Sequence, residues 1–268
     1  MTDAYYELLD ADDRRGERFA ASDHVISTWG SSMQNAAPVS ALLVRAIERC
    51  AARPDTRISR VVVDLLGPVP VGDQLWVRAD VRRPGGQIEL VGAEMLGPGP
   101  DGALRPVATA SAWRFRRCDT DELPEGPTPP MRSVGEGWAR YPDDSVAGTY
   151  IQSLDWRWLN DILHSEQAEC WARPLVDLVL AEPMTATQRL FCVADIANGM
   201  GSRLDPARWT FLNTDVTVHI HRLPEGQSIG VRAENHYGRD GVGASRGMLF
   251  DGQGPVAAIQ QAQLVRRR

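Results

Sequence analysis

The stretch that decides the fold occurs twice, as PVGDQLWVRAD at residues 70–80 and as PEGQSIGVRAE at residues 224–234. Both copies have Pro, Gly and Val-Arg-Ala in register. Each continues into a second strand-like run, a turn with Asp-Gly, and a last run, VATASAWRFRR (107–117) or VAAIQQAQLVR (256–266). A repeat of this length indicates that the chain contains two copies of one structural unit.

One long apolar helix candidate precedes each copy, at about 36–52 and about 184–202, where apolar residues recur at helical spacing. No helix candidate interrupts residues 59–117 or 209–266, so the strands there are expected to be antiparallel rather than joined by crossover helices. The sequence predicts an α+β fold in which each half wraps a curved antiparallel sheet around its helix. Because exposed edge strands invite aggregation, the two halves are expected to join edge to edge into one broad sheet.

The predicted boundaries are an N-terminal half at 1–118, a linker at 119–148 and a C-terminal half at 149–268. The linker is rich in Pro, which lacks the amide donor that a central strand needs. TYIQSLDWRWLND (149–161) alternates large apolar and polar side chains and is predicted to open the second half. CWARPLVDLVL (170–180) is predicted to be a further strand or to lie next to a helix.

Composition excludes several classes of protein. All 29 basic residues are Arg, so chemistry that needs a lysine, such as Schiff-base formation or a Walker-type phosphate loop, is excluded. The net charge of −6 argues against a nucleic-acid partner. The acidic start does not resemble a signal peptide, and there is no apolar run of about 18 residues. We therefore expect a cytoplasmic protein without a membrane partner, and no residue pattern calls for a cofactor.

Three polar residues of the second copy replace different residues of the first. Asp195 lies in the apolar helix where the repeat register has Ala41. Thr214 corresponds to Arg60, and Gln261 corresponds to Ala112. A carboxylate inside an apolar helix costs several kcal/mol unless it is hydrogen-bonded, and a hydroxyl and an amide can both donate to it. The sequence thus predicts a polar cluster of Asp195, Thr214 and Gln261.

Each of these residues also has a purely structural interpretation. Asp195 could face solvent, Thr214 could cap a turn, and Gln261 could be an exposed strand residue. Gln260 is its neighbour, and a slip of one residue would turn Gln260 inward instead.

Two further motifs carry weaker signals. Residues 243–247, GASRG, match the G-x-S-x-G nucleophile pattern, but the following MLFDGQGPVAAI predicts strand, turn and strand rather than the helix that this motif requires. His219 and His221 share one face of a strand, yet no third or fourth metal ligand lies at suitable spacing. A structural role is expected for both motifs.

A family resemblance rests on longer stretches. VADIANGMGSRLD (193–205), WTFLNTDVTVHIHRLPEGQSIGVRAE (209–234) and GVGASRGMLFDGQGPVAAIQQAQL (241–264) resemble the second half of the acyl-CoA thioesterases with a double hotdog fold, the bacterial type II enzyme and its actinobacterial relatives. STWGSSMQNAAPVSALLVRAIE (27–48) and residues 58–95 are similar to their first half. The resemblance covers nearly all of residues 15–267.

This resemblance implies acyl-CoA as the substrate and hydrolysis by an activated water. It also implies catalytic roles for Asp195 as general base and for Thr214 and Gln261 in holding the water. Two alternatives stay open, an enoyl-CoA hydratase or dehydratase and a non-catalytic acyl-CoA or lipid-binding protein. The hydratase interpretation needs a histidine close to the Asp, and Asp195 is followed by IANGM. A homodimer or larger homo-oligomer is expected.

Overall fold

The computed structural model describes residues 3–124, 126–139, 149–161, 164–165 and 167–268. Its first half contains β1 (Ala4–Asp12), β2 (Gly16–Ala21), β3 (Ile26–Ser27), β4 (Gly30–Gln34), α1 (Ala36–Arg49), β5 (Thr56–Leu65), β6 (Leu75–Arg83), β7 (Ile88–Pro98) and β8 (Leu104–Arg116). Its second half contains α2 (Thr149–Gln152), β9 (Leu154–Trp158), β10 (Ala168–Pro174), β11 (Asp177–Val179), α3 (Ala186–Ala194), α4 (Ile196–Met200), β12 (Trp209–Asn213), β13 (Asp215–Ile220), β14 (Ile229–Tyr237), β15 (Val242–Asp251) and β16 (Gly254–Arg267).

Within the described residues, fourteen of the sixteen strands form one sheet whose two halves repeat each other, and β3 pairs with β4 in a separate two-stranded sheet. Its order is β11-β1-β2-β6-β7-β8-β5-β13-β16-β15-β14-β10-β9, with β12 also beside β16. The order β1-β2-β6-β7-β8-β5 in the first half thus matches β9-β10-β14-β15-β16-β13 in the second. The predicted α+β architecture of two repeated halves is confirmed. One strand departs from the repeat, because β11 of the second half lies parallel to β1 at the far edge of the first half.

The two halves join through an apolar seam between β5 and β13. These strands are antiparallel, with Val61 opposite Val218 and Val63 opposite Val216. All four valines are fully buried. Pairing these strands removes two edges that would otherwise expose unpaired backbone groups, as the sequence led us to expect.

The helices lie against one face of the sheet. Asn35 caps the start of helix α1, because its side chain accepts a hydrogen bond from the Ala37 amide at 2.9 Å. The helix packs on β5 to β8. Helix α3 begins with a capping box formed by Thr185 and Gln188. Helices α3 and α4 pack on β10 and β14 to β16, and α3 also contacts α1. The second predicted helix is therefore confirmed, with an interruption at Asp195.

The segments at the start of the second half differ in detail from their predictions. Residues 149–161 begin with the short helix α2 before β9, and residues 170–180 contribute to β10 and β11. In the predicted linker, residues 125 and 140–148 lie outside the described residues. Met131 of its described part packs on the outer face of the sheet with Trp171 and Phe250. A Cβ atom on Gly230 would lie 3.1 Å from the Met131 sulfur, so glycine permits this close packing.

No helix in the described part of the chain is long and apolar enough to cross a membrane.

Candidate functional site

Asp195 lies at the break between α3 and α4 and is only 4% exposed. Its neighbours Ala194 and Ile196 are buried apolar residues. Burial in this setting disfavours the charged carboxylate and raises the pKa of Asp195 to about 7, although hydrogen bonds from Asn213 and Gln261 oppose the shift. A carboxyl group with a pKa near neutrality can both accept and return a proton.

Two side-chain amides on strands of the sheet donate hydrogen bonds to this carboxylate. Gln261 donates from Nε2 to Oδ1 of Asp195 at 2.9 Å, and Asn213 donates from Nδ2 to the same oxygen at 2.8 Å. Asn198 in turn donates to Oδ1 of Asn213 at 2.9 Å, which fixes the orientation of that amide. Both amides use Oδ1, and no side chain in the described part of the chain donates a hydrogen bond to Oδ2, so this second oxygen can accept a proton from another molecule.

The structure decides between the neighbouring glutamines of β16. Gln261 is 2% exposed on the inner face, whereas Gln260 is exposed on the outer face. In the strand register, Ala112 of β8 occupies the position in the first half that Gln261 occupies in the second, and Ala112 is fully buried. At this position the second half therefore carries a polar side chain where the first half has apolar core.

Thr214, by contrast, does not join the cluster. It is an exposed bend residue between β12 and β13, and Asn213 makes the contact with Asp195 in its place. The cause is a β-bulge, because Asn213 lies opposite Gln263 while Thr217 lies opposite Gln260, which leaves one extra residue on this side of the ladder. At the bulge the Ala262 amide bonds to the side chain of Asp215, at 2.7 Å.

A signal for Asn213 was present in the sequence. Phe211 is an apolar residue two positions earlier, and a strand places residues two apart on the same face. Val216, Val218 and Ile220 follow with the opposite parity. A change of parity within FLNTDVTVHI indicates a bulge between the two runs.

The two weaker motifs lie on or beside strands of the second half. Ser245 of the GASRG motif lies within β15 and is not on a strand-to-helix turn. His219 and His221 are exposed, and His221 contacts the backbone oxygen of Pro255 at 3.0 Å. No cluster of metal-ligating side chains occurs among the residues that the structure describes. A groove of about 350 Å³ lined by His219 and Gln260 lies on the outer face of the sheet, away from Asp195.

One continuous sheet made of two repeats, each packed on its own helix, defines a double hotdog protein with a buried carboxylate in its second repeat. The sequence matches the model of the acyl-CoA thioesterase N-terminal domain over residues 25–115 and that of the acyl-CoA thioesterase C-terminal domain over residues 93–265. The chain belongs to the acyl-CoA thioesterase family. No curated protein sequence matches it.

Solved structures share this fold at low sequence identity. A candidate thioesterase II from Thermobifida fusca is 17% identical, with a TM-score of 0.75 and coverage of 100% of this chain and 98% of the other. A candidate thioesterase from Novosphingobium aromaticivorans is 14% identical, with a TM-score of 0.72 and coverage of 97% and 98%. The acyl-CoA thioesterase II TesB2 from Mycobacterium marinum is 15% identical, with a TM-score of 0.62 and coverage of 81% and 83%.

Proposed function

We propose that this protein hydrolyses acyl-CoA thioesters to a free carboxylic acid and coenzyme A, using a water molecule that Asp195 activates. The observation that carries the proposal is the buried Asp195 carboxylate, held at one oxygen by two amides. Family membership supports acyl-CoA as the substrate class.

The reaction needs only one proton-transfer group on the enzyme. Oδ2 of Asp195 accepts a proton from water, and the resulting hydroxide attacks the thioester carbonyl carbon. The tetrahedral intermediate then collapses, the carbon–sulfur bond breaks, and the departing thiolate takes the proton from Asp195. Gln261 and Asn213 keep the carboxylate in one orientation through both proton transfers. Because water itself is the nucleophile, no covalent enzyme intermediate is required.

Asp195 must be ionised before it can accept that proton. With a pKa of about 7, roughly half of the molecules carry the carboxylate at neutral pH. Activity is therefore expected to rise with pH through this range. A carboxylate with an unshifted pKa would be ionised throughout, but it would be a weaker base.

The hydratase alternative lacks its second catalytic group in the described part of the chain. Asp195 takes its hydrogen bonds from amides, and no histidine side chain contacts it there. His236, on the neighbouring strand β14, is exposed and contacts Glu234 instead.

The test is release of free thiol from a panel of acyl-CoAs that differ in chain length. Wild-type protein is expected to release thiol, and Asp195→Asn is expected to reduce kcat by about 10²- to 10⁴-fold, the usual contribution of a general base. Thr214→Ala is the matched control and should change kcat little. Binding of acyl-CoA without turnover by the wild type would favour the non-catalytic alternative and overturn the proposal.

A further inference from the structure

Arginines from three separate segments meet at one end of the sheet in the second half. The backbone amide of Arg268 donates to the backbone oxygen of Arg208 at 3.0 Å. Arg266 donates from Nη1 to the backbone oxygen of Gly241 at 3.0 Å, in the turn between β14 and β15 that also contains Arg239. We call the following five residues the basic corner: Arg208, Arg239, Arg266, Arg267 and Arg268.

The positive charge of the basic corner is not neutralised by carboxylates. All five side chains are exposed, and none of them makes an ion pair within the described part of the chain. Two acidic residues share these segments, but Asp205 and Asp240 accept hydrogen bonds from the backbone amides of their own turns. The chain as a whole has a net charge of −6. A local excess of arginine in an acidic protein indicates an anionic ligand.

Arginines at the equivalent end of the first half do have acidic partners. Arg114, near the end of β8, pairs with Glu89 at 3.1 Å. Arg116 and Arg53 both pair with Asp55, at 3.5 Å and 3.2 Å. Ion pairing therefore distinguishes the two ends, because the half that carries the candidate catalytic carboxylate leaves the arginines of its corner without such partners.

Strand β16 connects the basic corner to the candidate site. Gln261, which bonds Asp195, and Arg267 are six residues apart and so lie on the same face of the strand. Six residues of strand span about 20 Å. The pantetheine arm of coenzyme A has about thirteen bonds between its sulfur and its first phosphorus, which gives an extended length of about 15 Å. A thioester held at Asp195 thus brings the phosphates within reach of the arginine side chains.

The basic corner also lies at the boundary between the two halves. The guanidinium of Arg268 is 5.5 Å from the centre of the Trp29 ring, in the hairpin of β3 and β4. Trp29 packs edge-on against Phe211 of β12, with 4.8 Å between the ring centres. Phe211 lies two residues before Asn213, whose amide bonds Asp195. The corner is therefore next to the strand that holds the carboxylate.

Resting on the proposed hydrolysis, we propose that the basic corner binds the phosphate groups in the nucleotide part of coenzyme A. Each guanidinium carries its N–H donors in a planar fork that matches phosphate oxygens. The side chains of Arg208, Arg239 and Arg267 make no hydrogen bond in the described part of the chain, so they can turn to a phosphate without breaking a contact. Because the phosphates are remote from the reacting carbon, these contacts should lower KM and leave kcat unchanged.

The experiment compares two thioesters of one acyl group, the CoA ester and the pantetheine ester, which lacks the nucleotide. The double variant Arg208→Gln with Arg267→Gln should raise KM for the CoA ester by about tenfold or more, because it removes two charge-assisted contacts. Its kcat, and its kcat/KM for the pantetheine ester, should stay within about twofold of the wild-type values. Arg117→Gln is the matched control, because Arg117 is exposed and corresponds to Arg266 in the repeat register of the first half.

Calorimetry with free CoA and with pantetheine gives a second readout, one that does not need hydrolysis. The wild type should bind CoA at least about tenfold more tightly than pantetheine, and the double variant should bind the two within about twofold of each other. Equal affinities in the wild type would overturn the inference.

The kinetic outcomes separate this inference from the proposed function. A double variant that matches the wild type with the CoA ester, or that loses activity equally with both esters, overturns the phosphate site alone. Faster hydrolysis from an acyl carrier protein than from CoA, lost in the double variant, also overturns it, because the corner would then bind an acidic protein. Absence of hydrolysis with any ester overturns the proposed function, whereas a CoA affinity that the double variant loses would still support the basic corner.

Discussion

Replacing Asp195 by Asn is predicted to stabilise the protein more at alkaline pH than at acid pH. The pKa of Asp195 is about 7 in the folded protein, against an ordinary value of 3.8 that we take for the unfolded chain. The folded state therefore keeps a proton that the unfolded state releases at a lower pH. The stability that this proton contributes is complete below about pH 3.8 and is lost as the pH rises through about 7.

The size of the effect follows from the two pKa values. Between pH 5 and pH 8 the free energy of unfolding of the wild type should fall by about 2.5 kcal/mol because of this one group. The asparagine side chain of the Asp195→Asn variant does not titrate, and its oxygen can still accept from Asn213 and Gln261. The contribution of all other groups to the pH dependence is shared by both proteins and cancels in the difference.

The assay is urea unfolding of both proteins at pH 5 and pH 8. The free energy of unfolding of the variant minus that of the wild type should grow by about 2.5 kcal/mol from pH 5 to pH 8. In the wild type, kcat should increase with pH with an apparent pKa near 7. An advantage that is equal at both pH values would refute the reasoning, because Asp195 would then have an ordinary pKa.

Three further predictions follow from other contacts. Asn213→Ala removes a hydrogen bond that lowers the pKa of Asp195, so the rise of kcat should move to higher pH; Thr214→Ala should leave the profile in place. Arg45→Met should lower the free energy of unfolding, measured in urea, by about 3 kcal/mol, because the Arg45 side chain is 1% exposed and its guanidinium bonds Glu17 at 2.6 Å and Glu182 at 2.7 Å. Arg49 is more exposed, so Arg49→Met should lower the free energy of unfolding by less than about 1 kcal/mol. Light scattering should give a mass of at least twice 29.5 kDa, and a monomer would contradict the predicted homo-oligomer.

Much of the fold could be predicted from the sequence because the repeat made each half evidence for the other. The matching runs at 70–80 and 224–234 became the equivalent strands β6 and β14. Parallel association of β11 with β1 was not predictable, because three residues carry no register signal of their own. The short helix α2 was also missed, since the alternation of its residues equally suits a strand.

The candidate site shows the same division between local pattern and tertiary structure. The sequence by itself predicted that Asp195 and Gln261 come together, because a carboxylate in an apolar helix and an amide in an alternating strand break the pattern of the first repeat. Only the tertiary structure decided that Asn213, and not Thr214, contacts the carboxylate. A bulge changes which face each later residue occupies, and the pairing of β12 and β13 with β16 fixes where that extra residue lies.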